Sequence, residues 1–350
     1  MKLASLVLAT FVVGVPSQGL VTVPDGYLSA EGDSRTTVPG IGRSGVKQWL
    51  IGSSHLTPLR GRSVAGLVFR HDANWDETTV PGSATLVVRI GPAAVEPLDA
   101  TTDFAANLLP THAVEVFRGS AAFGVSSVTA GAATWNAPHV LELPFTTPFA
   151  YAGGPIAIEI DGMHAASAAT WWSVDGVEEQ IAGTVTDIGT SCGARDFPNG
   201  RTALVDPASL VLGGSAEFHF YGQANASALL LIGATTFPTP INLALLGAPG
   251  CELHVSPFAA IARPLVDSNI QGLGSVARAL VSLPAQTDLL GGELYAQWFE
   301  VGATFTTSQA IRFQIAPRLP TLDLATLIRR EDGSVELHPS FAPVFGFRML

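Results

Sequence analysis

Only a few short segments bring together residue types that do chemistry. Gly189-Thr190-Ser191-Cys192-Gly193 fits the G-x-S-x-G pattern of a nucleophile elbow. An elbow needs a strand before the serine and a helix after it, so that the hydroxyl faces oxyanion donors from a sharp turn. Residues 194–200 include Pro198 and Gly200 and cannot make a long helix. A turn around a bonded cysteine accounts for the same glycines. Asp72-Ala73-Asn74-Trp75-Asp76 offers side-chain oxygens at alternate positions, as a Ca²⁺ loop does. Glu77 stands where an EF-hand needs glycine and Ser83 where it needs a bidentate glutamate, so an EF-hand is excluded. Asp72, Asn74 and Asp76 remain candidate ligands for Ca²⁺ in a looser loop site, the one cofactor the sequence suggests.

The histidines are scattered, with neither H-E-x-x-H nor H-x-H spacing, which leaves zinc without support. Glu142, Glu159, Asp161, Asp175, Glu178 and Glu179 could serve a glycosidase as acid and base, but their separation in space decides that. Trp171 and Trp172, with Trp75 and Trp135, could form an aromatic platform for a glycan. On a strand, neighbouring side chains point to opposite faces, so one of Trp171 and Trp172 belongs to the core and the other can be exposed. Cys192 and Cys251 are an even pair, expected to form a disulfide in an oxidising compartment. Closing a loop of that length stabilises the fold by roughly 4 kcal/mol on chain entropy alone.

These residues must be held by strands. Charged residues make up 13% of the chain, about half the usual share. Gly and Pro are abundant and apolar residues come in short runs, the composition of strands joined by tight turns. Residues 84–90 alternate, with Leu86, Val88 and Ile90 on one face; Leu141-Glu142-Leu143 and Ile158-Glu159-Ile160 each put a carboxylate between apolar neighbours. Further strands are expected over 64–70, 113–117, 170–174 and 184–188, the last closing a first set. A short helix or edge segment fits 99–109. Residues 20–61 read as an irregular or edge-strand lead-in.

A second strand series runs from Ser209 to about residue 316, and includes Glu217-Phe218-His219-Phe220-Tyr221. Residues 226–251 are strongly apolar, but Pro238, Pro240 and Pro249 rule out a membrane helix. They read as two buried strands around a Pro-rich loop. Residues 322–330 fit a helix, within a C-terminal tail over 317–350. The fold class is therefore all-β: two antiparallel, jelly-roll-like β-sandwiches in tandem over 20–188 and 189–316.

The N-terminus reads as a secretory leader: Lys2, a 13-residue apolar run over 3–15, Pro16, and small residues before a cleavage point after Gly19. The apolar run is too short to span a bilayer. Secretion, or residence at a bacterial cell surface or periplasm, follows. The net charge of −11 and the absence of basic runs make nucleic acid and anionic membranes poor partners.

Gly291-Gly292-Glu293-Leu294-Tyr295-Ala296-Gln297-Trp298-Phe299, with Thr306-Thr307-Ser308-Gln309-Ala310, resembles the closing strands of a module found in uncharacterised secreted bacterial β-sandwich proteins. Residues 229–251, with Gly233 and Gly250-Cys251, are similar to the middle of that module. Val68-Phe69-Arg70 and Pro148-Phe149-Ala150-Tyr151 are similar to a jelly-roll-like module that precedes it. The resemblance covers about 65–315, implies this architecture and supplies no catalytic residue. The expected function is non-enzymatic: binding or assembly outside the cell, with another surface protein or a glycan as partner. Carbohydrate binding is the first alternative and an extracellular hydrolase the second.

Overall fold

The computed structural model describes residues 19–41, 44–73, 81–127, 131–163, 172–192, 202–268, 274–302, 305–330 and 332–350. Strand accounts for about 55% of it and helix for about 8%, so the fold is all-β. Among the described residues every strand pairing is antiparallel.

The first sandwich is built on a six-stranded sheet in the order Val335–Pro339, Leu324–Arg329, Gly45–Ile51, Ile156–Met163, Gly82–Pro92, Val114–Phe123. Facing it is a sheet in the order Leu20–Val23, Phe345–Met349, Ser63–Arg70, Val140–Ala150, with Ser34–Thr36, Val174–Glu178 and Phe341–Pro343 as a third group. The alternation read from the sequence fixes which face is buried. Leu86, Val88, Ile90, Ile156, Ile158 and Ile160 meet Leu67, Phe69, Leu141 and Leu143 in one core. Ala157 and Leu50 point to the other face, where Ala100, Phe104 and Leu108 cover them. The expected short helix of that cover is the four-residue helix Phe104–Asn107, capped by the Asp103 side chain.

The second sandwich packs the sheet Ala203–Val205, Ser215–Gly222, Ser275–Ser282, Val266–Asp267 against the sheet Thr184–Ile188, Phe305–Gln314, Glu293–Val301, Ser227–Gly233, Ala259–Pro264. Phe218, Phe220, Leu230, Trp298 and Phe313 fill its core. A separate hairpin, Thr235–Asn242 with Glu252–Ser256, stands beside it. Cys192, which bridges to Thr307 of the strand Phe305–Gln314, forms the expected disulfide with Cys251 of the hairpin's connection.

Four expectations change. Residues 322–330 form the strand Leu324–Arg329, not a helix, because Leu324, Ala325 and Leu327 bury both faces of a central strand. The segment 317–350 is no tail. Phe345–Met349 lies between Leu20–Val23 and Ser63–Arg70, with Phe345 and Phe347 wholly buried. Residues 20–61 contain the central strand Gly45–Ile51, masked by Lys47 and Gln48. Both are satisfied when buried: Lys47 donates to Thr36 Oγ1 and Thr37 O, and Gln48 donates to Phe104 O. Thr235–Asn242 is a largely exposed strand that carries Pro238 and Pro240, a position where proline is tolerated.

The sandwiches are therefore not in tandem. Thr184–Ile188 pairs with Phe305–Gln314 and opens the second sandwich rather than closing the first. The chain leaves the first sandwich after Val174–Glu178 and re-enters it at Leu324–Arg329. Glu179 clasps the two crossings. Its carboxylate accepts from the Thr321 and Leu322 amides, the Thr321 and Ser340 hydroxyls and the Arg318 guanidinium. Arg330 makes a second clasp, pairing with Glu217 of the inserted sandwich and with Glu336 of the first.

Burial opposes ionisation of Glu179, but the Thr321 and Leu322 donors and Arg318 outweigh it and bring the carboxyl down to about 2. A value below the unfolded one stabilises the fold above pH 4.5 and stops doing so as pH falls toward about 2. We expect unfolding midpoints to drop across that acid window, and Glu179→Gln to lower the neutral midpoint and reduce the acid slope. An acid slope identical in wild type and variant would remove the clasp from this role.

Candidate functional site

Four chain segments converge at one end of the first sandwich. Ser63–Arg70 ends there, Val174–Glu178 begins there, and the connections around Glu31 and Ser126 lie over them. A bridge between His71 and Val174 ties the two strand ends together. Arg70 is wholly buried, and all three of its guanidinium nitrogens donate hydrogen bonds. Nε donates to Asp175 Oδ2 at 2.7 Å and one terminal nitrogen also reaches that carboxylate. That nitrogen also donates to the Ala30 carbonyl at 2.5 Å, and the second terminal nitrogen donates to the Tyr27 carbonyl at 2.8 Å. The guanidinium also lies 4.8 Å from the centre of the Trp135 ring, a cation–π contact.

Asp175 is wholly buried and accepts from the Gly32 amide through its other oxygen, at 2.9 Å. Burial pushes its carboxyl up to about 7 against the pull of Arg70, and the Glu31 charge adds to the rise. Glu31 accepts from the Ala73 amide through Oε1 at 2.7 Å. Burial raises its carboxyl too. Asp72 completes the group: ligand atoms of Glu31, Asp72 and Asp175 all lie within 4.8 Å of one another.

Beside this group, Ser126 Oγ lies 3.1 Å from His71 Nδ1 and 2.9 Å from His139 Nδ1. A hydroxyl has one proton, so one imidazole at most accepts from Ser126 and the other presents its own N–H. Ser126 is wholly buried and His71 nearly so, and the His71 ring packs 5.6 Å from Trp172. The arrangement orients the end of the strand that carries Arg70.

Of the expected calcium ligands, Asp72 lies beside Glu31 and Asp175. Asn74 and Asp76 lie outside the described residues, as do Trp75 and Trp171. Trp172 is fully buried in the core, so it cannot stack on a glycan and that expectation is withdrawn for it. Trp135 is spent on Arg70 and on a hydrogen bond to Leu28 O. At the serine pattern, a Cβ on Gly189 would meet the His254 ring at 2.5 Å, so packing requires the glycine. Several candidate acids are paired with arginines in the fold: Glu142 with Arg348, Glu159 with Arg89, Glu179 with Arg318. Glu31 carried no local sequence signal; an arginine ending the apolar run Leu67-Val68-Phe69 is the one hint of a buried charge cluster.

A second feature lies at the far end of the inserted hairpin. Its tip, residues 243–251, closes on Leu243, Ala248 and Cys251. Leu245 is 98% exposed and Leu246 59%. Ile241 on the hairpin and Phe305, whose carbonyl faces the Cys251 sulfur, are exposed beside them. Among the described residues no helix is long and apolar enough to cross a membrane.

No protein-family model and no curated protein matches the chain. Among solved structures it is similar, at 10% identity and a TM-score of 0.16, to a β-glucuronidase of Parabacteroides merdae with glycerol in its active site. That match covers 87% of this chain and 38% of the other, so this chain spans well under half of that enzyme. A structure of the Gt strain of infectious bursal disease virus matches at 10% identity and a TM-score of 0.17, covering 95% of this chain and 82% of that one. At these scores neither likeness carries an argument.

Removing one partner of a buried ion pair leaves the other charge uncompensated. Arg70→Ala is expected to lower stability by about 3–5 kcal/mol, measured by urea unfolding at neutral pH. A loss under about 1 kcal/mol would show that the pair is not an anchor.

Proposed function

We propose that this is an exported, non-enzymatic protein that works outside the cell by association, through the tip of the inserted hairpin. The observation that carries the reading is Leu245, almost fully exposed, with Leu246 beside it on a loop whose end is tethered to Cys192 by a disulfide. Exposed leucines gain about 1.5–3 kcal/mol each when a partner covers them fully. Exposed apolar groups clustered this way mark interaction surfaces.

Strand addition is a poorer route. The edge strand Ala259–Pro264 of the five-stranded sheet ends in Arg263 and Pro264, both exposed, and such residues blunt an edge. Association then runs through side chains at the tip. The simplest partner is a second copy of the chain. The disulfide suits an oxidising compartment, and the candidate acids engaged by arginines suit a role without chemistry.

Sedimentation velocity over a concentration series tests this. The wild-type chain is expected to associate weakly, as interfaces below about 1,200 Å² do. Leu245→Asp combined with Leu246→Asp is expected to stay monomeric at the same concentrations. A wild type that remains monomeric throughout would sink the proposal.

A further inference from the structure

Among the described residues, three buried carboxylates, Glu31, Asp72 and Asp175, meet beside a single guanidinium at the end of the first sandwich. Arg70 spends its donors on Asp175 and on the Tyr27 and Ala30 carbonyls. It stands 3.9 Å from Glu31 Oε2, beyond hydrogen-bond length. That oxygen is buried and accepts no hydrogen bond, on a side chain only 6% exposed. Glu31 Oε2 thus faces the ligand oxygens of Asp72 and Asp175 with no donor of its own, in a site shielded from water. Buried charge is costly unless something neutralises it.

We propose that Glu31, Asp72 and Asp175 bind one divalent cation of the calcium class, which neutralises the site and locks the Glu31 connection onto the strand ends. The donors are all carboxylate oxygens, which suit a hard cation and not zinc or copper. Their mutual distances, within 4.8 Å, are those of oxygens around an ion with bonds of 2.3–2.6 Å. A doubly charged ion offsets the repulsion between them. Calcium tolerates irregular coordination, whereas magnesium demands a near-octahedral shell. The site is separate from the hairpin tip, so its test does not depend on the association reading.

The experiment uses the full chain, stripped with a chelator and checked for residual metal. Thermal unfolding at neutral pH is followed with calcium chloride, magnesium chloride or neither, and calorimetry gives stoichiometry. Calcium is expected to raise the midpoint by about 5 °C when it saturates one site well above its dissociation constant. Magnesium should do markedly less. Glu31→Gln and Asp72→Asn should each remove most of the calcium shift; neither removes a hydrogen-bond partner of the Arg70–Asp175 pair, and either one alone suffices if the other misfolds. No calcium shift in the stripped wild type, or an undiminished shift in a folded variant, would overturn the proposal and leave protons as the neutralising charge.

Discussion

Three rings hold the first sandwich together. Trp49, Phe69 and Phe345 lie 5.8–6.1 Å apart, centre to centre, and each is wholly buried. Trp49 and Phe69 come from the early part of the chain and Phe345 from its last strand. Aromatic burial of this size dominates a core, and edge-to-face contacts add about 0.5–1.5 kcal/mol per pair. Because Phe345–Met349 lies inside its sheet rather than at the edge, neither Leu20–Val23 nor Ser63–Arg70 has its full complement of hydrogen bonds without it. The first core cannot close until the last residues arrive, which places the fold among the topologies of high contact order that fold slowly.

That constraint accounts for the junction. A second sandwich inserted between Val174–Glu178 and Leu324–Arg329 requires two crossings to lie side by side. Glu179 binds the returning crossing to the outgoing one, and Arg330 bridges Glu217 to Glu336 across the two bodies. A small apolar contact of Ile181, Val211 and Ala316 sits between them. The insert thereby carries its hairpin tip on a body anchored at both ends, while the charge cluster around Arg70 stays in the first sandwich.

Much of this was legible as sequence. Alternation at 84–90 and around Glu142 and Glu159 marks strands and their buried faces, and Cys192 and Cys251 form the pair that their even count predicts. What was hidden has physical causes. Strand Gly45–Ile51 does not alternate, since Lys47 and Gln48 are buried but satisfied by Thr36, Thr37 and Phe104. Leu324–Arg329 reads as a helix because a strand buried on both faces lacks a period of two. The return of Phe345 to Phe69 has no local signature, because pairing between distant segments is decided by the whole core. At the charge cluster, Asp72 was visible as a loop acid. Glu31 and Asp175 join it only through that same long-range closure, and no spacing rule could have grouped them. Trp172 went to the core because the face it occupies is set by tertiary packing.

The most direct test of the account is native-state hydrogen exchange of the full chain, resolved to peptides. If the terminal strand is integral to the first core, amides of Phe345–Met349 will be as protected as those of Ser63–Arg70 and Ile156–Met163, exchanging only through global opening. Rapid exchange of 345–349, with protection retained elsewhere in the first sandwich, would contradict the account and make the C-terminus the loose tail its sequence suggests.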